Sequence, residues 1–423
     1  MSGAITTDQP LTDGGVASVN WFNGRLVTGE DLTRDQQAAE IGRLRLGLAV
    51  GSGVVGGLDV TAAASTSNAR PVIRIEPGLA VNRRGQTLEL GSATEVALTR
   101  ERAGGSASDL IFRDCTPLQP GSYSAGAGVY LITIAPATAG VGRARVSGLG
   151  NTDAGCNVAF SVAGVQFHLL QLALPTTVIA SADLLRNRLA HAMAGTADPA
   201  RIRADADPFG SRTRADGLLG QLVSAGCLGA DEVPLAALRW TAGQGIRFVD
   251  RWAVRRRITA TEPYDRTPGY VAQSVRADAE ALFCQFQDQV AETLLNAGTA
   301  SAVRAADRFA YLPPVGLVPI TGAGSRTGVD PAQFLGAQGS DELATIDASE
   351  VRELVQSSFE HTPLQVGGPE RVQRYLIWEN EVAALAGIGQ RVLLFARETL
   401  PFRGRSRVGV ARFNRSRFAP TVI

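Results

Sequence analysis

Three histidines, His168, His191 and His361, are the only imidazoles in 423 residues. They lie far apart, and no two sit four residues apart on one helix face as a zinc protease requires. His168 stands in an apolar run and reads as a core histidine with a hydrogen-bond partner. A serine or cysteine nucleophile would need one of these imidazoles as its base, and no G-x-S-x-G frames such a serine. Cys115, Cys156, Cys227 and Cys284 stand singly, without CxxC or Cys/His zinc spacing. They read as buried thiols, with a Cys115–Cys156 disulfide as the alternative. The acid pairs Asp231-Glu232 and Asp341-Glu342 read as solvated loop carboxylates. All 41 basic residues are arginine, which removes Schiff-base, lysine-base and P-loop chemistry. Gly51-Ser52-Gly53-Val54-Val55-Gly56 fits G-x-G-x-x-G, but a helix precedes it and a strand follows, the reverse of a dinucleotide site. Its glycines read as a joint. Asp207-Pro208-Phe209-Gly210 reads as a turn. No catalytic residue, cofactor ligand or metal ligand is assigned.

The elements that surround these residues predict an α+β protein. Residues 1–52 form a polar arm and helix, 53–178 a β-rich domain, 179–320 a mainly helical domain, and 321–423 an α+β region with an Arg-rich tail. Thr28, with Asp31 three residues on, caps a helix over about 30–48. Its apolar stripe, Leu32, Ile41, Leu44 and Leu48, is narrow, which suits a helix lying on a surface or partner. Short strands follow at Leu58–Ala62, Val72–Glu76, Leu79–Asn82 and Thr87–Leu90, the last two joined by an Arg83–Gln86 turn, with an edge at Glu95–Thr99. Residues 103–126 read as a loop. Val129–Ala135 and Val165–Leu174 read as strands around a Gly-rich insertion at 139–157. Helices are predicted from Ser181 through Met193, at Leu218–Ala225, over 270–297, after Asp330, and from Asp347 through Ser357. In the 270–297 helix, Val271, Val275, Ala279, Leu282, Phe286, Val290 and Leu294 form a core face or a coiled seam. Strands close the chain at Val372–Trp378 and Arg391–Ala396.

A net charge of +1 gives no whole-chain field, yet it conceals an asymmetry. Residues 1–40 carry six acids against Arg25 and Arg34, whereas 391–423 carry eight arginines against Glu398. The tail interleaves Phe402, Arg403, Arg405, Arg407 and Phe413. Arginines between aromatics suit nucleic acid, but no supporting basic surface occurs elsewhere, so the tail reads as an arm on an acidic neighbouring subunit or on the chain's own acidic head, without a nucleic-acid partner. The run Arg255-Arg256-Arg257 after Trp252 must pair with carboxylates or cross an interface. Interface candidates are thus Trp21, Phe22, Arg25, Asp31, Arg255, Arg256, Arg257 and the tail residues. No signal peptide and no 18-residue apolar span are present, which predicts synthesis in the cytoplasm without a membrane span.

One resemblance covers much of the chain. Phe22-Asn23-Gly24-Arg25-Leu26-Val27-Thr28-Gly29-Glu30-Asp31-Leu32 resembles the opening of proteins encoded with phage tails and phage-tail-like contractile injection systems. Gly53-Val54-Val55-Gly56-Gly57-Leu58-Asp59-Val60 and Glu76-Pro77-Gly78-Leu79-Ala80-Val81-Asn82-Arg83-Arg84-Gly85 follow in that group's order. Gly29, Val27 and Asn82 depart from its usual Ala, Leu and Asp. Later pieces around 231–235, 248–257, 311–316 and 392–397 are similar to its middle and end. The resemblance implies a structural component of a baseplate, or of fibre or spike attachment. Its partners would be other baseplate or tail subunits and further copies of itself, a trimer foremost. It carries no family catalytic residue. A carbohydrate-binding or glycan-hydrolysing accessory protein is the alternative, motivated by Trp240, Trp252 and Trp378.

Overall fold

The computed structural model describes residues 12, 15–67, 71–98, 112–114, 128–143, 158–196, 217–241, 244–259, 273–320, 328–378, 392–398 and 400. The fold is α+β, with an N-terminal helix followed by a small β unit. Helix α1 (Gly29–Val50) starts where the Thr28–Asp31 capping box satisfies its first amides. It ends at Gly51, whose positive φ no β-carbon would favour. Strands β1 (Gly53–Gly57), β4 (Gly78–Val81) and β5 (Thr87–Leu90) form one antiparallel sheet; β2 (Val60–Ala62), β3 (Val72–Ile75) and β6 (Thr94–Ala97) form a second. The helix–glycine–strand order at 51–56 is thus the one expected from the sequence.

The central sheet runs β11-β10-β8-β9-β7, from β11 (Gly245–Asp250), β10 (Val233–Thr241), β8 (Gly128–Arg143), β9 (Val158–Gln171) and β7 (Phe112–Asp114). It joins strands from both sides of position 178. Alternation along β8 explains its two cores: Tyr130, Ile132 and Ile134 face the small β unit, while Val129 and Leu131 face helices. Those helices are α2 (Leu185–Ala194), α3 (Leu218–Ser224) and α4 (Gln273–Asn296). Helix α2 begins four residues later than Ser181 suggests, because residues 182–184 form a turn and no side chain caps it. Helix α4 is a core helix: Leu282 packs with α2, while Phe286 and Val290 belong to the C-terminal core. That core lies under β12 (Val315–Pro319), β15 (Val392–Arg397), β14 (Val372–Trp378) and β13 (Gly339–Asp347), paired in that order, and helix α5 (Ala348–Ser358) packs beside them.

Leu58 is fully buried yet has φ +55°, alone among the described non-glycine residues in having positive φ. A branched side chain in this region is strained. It is held because Gly57 turns the chain so tightly that a β-carbon there would lie 1.9 Å from the Pro77 oxygen.

Candidate interaction surface

The segment before α1 is organised around one guanidinium. Arg25 donates to the Asn20 carbonyl at 2.8 Å and to Asp31 Oδ1 at 2.5 Å, and lies 5.6 Å from the Trp21 ring centre. The Thr28 hydroxyl, then Arg25, hold the Asp31 carboxyl below its ordinary range. The cap is polar and self-satisfied, so it leaves the neighbouring apolar groups nothing to cover. Trp21, Phe22, Leu26, Val27, Leu32, Ile41, Leu46 and Val50 are all exposed, Leu26 at 87 %. No residue of α1 is buried. Its C-terminal half leans on the β4–β5 turn, where Leu44 and Leu48 are half-covered.

That turn is locked to the body. Asn82 Oδ1 accepts from the Arg84 and Gln86 amides, and its Nδ2 donates to the Asp231 carbonyl. Arg83 donates to the carbonyls of Leu228 and Gly229. Asn82 therefore holds the turn as an acidic residue would, and adds a donor that a carboxylate lacks.

A turn at Arg251–Arg255 leads into the arginine run. Asp59 accepts from Arg251 at 2.7 Å and Arg255 at 2.8 Å; Asp288 takes Arg251 and the Trp252 indole; Asp278 takes Arg256; Glu280 takes Arg257 at 3.1 Å. These carboxylates come from the small β unit and from α4, so the cluster fastens the two together. Arg257 keeps 73 % of its side chain exposed. Phe402, Arg403, Arg405, Arg407 and Phe413 lie outside the described residues.

Sequence reasoning missed the third feature. The 139–157 insertion opens in strand, since β8 runs on to Arg143, and β9 starts directly after it at Val158. Past Pro136 and its partner Val165 this ribbon leaves the core, and most of its described residues are exposed. Val141 stands opposite Phe160 and Ala139 opposite Val162, placing these apolar side chains on one face. Phe160 is 69 % exposed. Its signal in sequence is Val-Ala-Phe-Ser-Val, whose alternation was masked by the glycines around it.

The remaining chemical candidates are structural. His168 Nδ1 lies 2.5 Å from Glu232 Oε1 in the core, and Glu232 Oε2 accepts the Gly229 amide at 2.6 Å. Glu232 is therefore buried, which corrects its reading as a solvated loop acid. Trp240 is in the core, and Trp252 is committed to Asp288 between Arg251 and Arg255. Both are withdrawn from any glycan-stacking face. Cys284 is a free thiol, whereas Cys227 is disulfide-bonded, which corrects the buried-thiol reading there. The Cys115–Cys156 pair lies outside the described residues. Among the described residues no group of three or more His, Cys, Asp or Glu is placed to hold a metal, and no helix is long and apolar enough to cross a membrane.

Neither a scan of protein-family models nor a search of curated proteins finds a match to this chain.

Proposed function

We propose that this protein is a structural component of a contractile, phage-tail-like particle, acting at the baseplate or at fibre or spike attachment through contacts with neighbouring subunits and with copies of itself. The observation that carries this reading is α1 and its approach: eight large apolar side chains stay in water between Trp21 and Val50, four on the approach and four on a helix with no buried residue. Most helix stability in proteins comes from packing an apolar face rather than from propensity, and α1 buries none of its residues. Apolar groups spaced along one segment are a recognition surface rather than scattered exceptions. The polar Arg25–Asp31 cap fixes where that surface begins. The β8–β9 ribbon offers a second uncovered face.

The test is assembly. Size-exclusion chromatography with light scattering on the full chain is expected to give an oligomer, a trimer foremost. Co-expression with sheath, tube and spike components from the same locus is expected to place the chain in the particle. A variant carrying Phe22→Ser, Leu26→Ser and Val27→Ser keeps the cap and should fold but fail to enter. A monomer that never joins particles, or a triple variant that joins as well as the parent, sinks the reading.

A further inference from the structure

A cavity of about 460 Å³ opens between the β10–β11 hairpin, the start of α2, the end of α4 and the segment 299–308. Its lining holds five arginines against three carboxylates. Two of the arginines are spoken for: Arg186 pairs with Asp250 and Glu292, and Arg308 pairs with Asp183 at 2.7 Å. The side chains of Arg239, Arg247 and Arg304 have no ion pair or hydrogen bond among the described residues, and Asp307 is their one unpaired carboxylate neighbour in the lining.

The backbone is shaped to bring them together. Arg239 stands opposite Phe248, and Trp240 opposite Ile246, so Arg247 is the extra residue of a β-bulge. A bulge breaks the strict alternation of faces and re-aims a side chain. Here Arg247 and Phe248 both line the cavity, although a regular strand would send them to opposite sides. Arg239 is half-buried in the strand beside it, and no carboxylate among the described residues pairs with it. Gln244, Thr293 and Asn296 add neutral hydrogen-bonding groups around the three cations.

We propose that this cavity binds a small molecule through a phosphate-class oxyanion. A planar guanidinium donates two parallel hydrogen bonds to such a group, and three of them from separate elements match a tetrahedral anion better than a flat carboxylate. The cavity exceeds the size of a bare phosphate and has polar walls, which suits a phosphorylated small molecule such as a sugar ester. The inference is independent of the assembly role, since neither α1 nor the ribbon lines this cavity.

Calorimetric titration of the full chain with sodium phosphate, and separately with glucose 6-phosphate, tests it against sodium chloride at equal ionic strength. Saturable binding in the millimolar range or tighter is expected. Arg247→Gln and Arg304→Gln, both at exposed positions, should each weaken it by about tenfold. Arg352→Gln, an exposed arginine on α5, should leave it unchanged, and melting curves check that all three fold. Binding of either ligand supports the site, and the tighter of the two tells whether the anion is taken free or as an ester. No saturable binding of either, or equal binding in Arg247→Gln and Arg304→Gln, or the same loss in Arg352→Gln, overturns it.

Discussion

Gly47 of α1 and Gly85 of the β4–β5 turn meet backbone to backbone: a β-carbon on Gly47 would lie 1.9 Å from the Gly85 oxygen, and one on Gly85 would lie 2.1 Å from the Leu44 oxygen. Helix propensity alone predicts that Gly47→Ala stabilises α1 by about 1 kcal/mol. The close approach predicts the reverse, because the helix must lift off the turn. Gly85→Ala adds the cost of φ +81°, about 1–2 kcal/mol for a residue with a β-carbon. Both variants should speed amide exchange along Ile41–Val50. Wild-type protection in Gly47→Ala would show that the helix does not need this contact.

Asp250 is almost fully buried and accepts from Arg186 Nε at 2.7 Å, Gln285 Nε2 at 3.0 Å and the Ala253 amide at 2.9 Å. It ties β11, the arginine turn, α2 and α4 at one point. Asp250→Ala leaves these donors unsatisfied and is expected to cost about 3–5 kcal/mol. Asp183→Ala removes the exposed pair with Arg308 and should cost no more than about 1 kcal/mol. Urea denaturation with matched m-values measures both, and equal effects would mean that Asp250 is not a junction.

Much of this was readable because it is local. The Thr28–Asp31 box, the Arg83–Gln86 turn and the Asp330 and Asp347 caps are each written within four residues, and the elements begin or end where those signals stand. What escaped is non-local. Glu232 was unreadable as a buried acid because its partner, His168, is 64 residues away. The arginine run shows its need for carboxylates, but Asp59 and Asp288 are assigned only by the fold. The ribbon was hidden because the glycines around its short apolar alternation mimic a loop. The cavity arginines share no spacing at all, and only the bulge at Arg247 aligns two of them.

His191 predicts an acid limb in stability. It is fully buried on α2, with Nδ1 2.9 Å from the Thr196 hydroxyl and its ring 4.9 Å from that of Tyr311. Burial lowers its pKa from 6.5 to about 3. Between those values the unfolded chain binds a proton that the folded chain refuses, so stability is complete above 6.5 and falls as pH drops, by about 1.4 kcal/mol per unit. His361 shifts the same way, through burial and then the nearby Arg397. His191→Gln should lower stability at pH 7.5 and flatten the decline toward pH 4. An unchanged slope would assign the acid limb to other groups.

Thiol chemistry separates two of the cysteines. Burial, followed by Glu280 and Asp288, raises the Cys284 thiol to about 11, so little thiolate exists at pH 8. Native alkylation should leave Cys284 largely unlabelled until denaturant is added, and Cys227 unlabelled until a reductant is added as well. Rapid native labelling of Cys284 would contradict the raised thiol pKa.

The ribbon makes the last prediction, because there stability and association should part. Phe160 and Val162 stand on uncovered strand, opposite Val141 and Ala139. Replacing them removes no core contact, so Phe160→Thr with Val162→Thr should change unfolding free energy by no more than about 0.5 kcal/mol. Both threonines keep strand propensity, and the pairing register should hold. An uncovered apolar ribbon is a surface for another chain, so the same pair should weaken self-association measured by sedimentation. If the double variant unfolds earlier while its oligomer stays intact, the ribbon packs within its own chain and the face is not a contact.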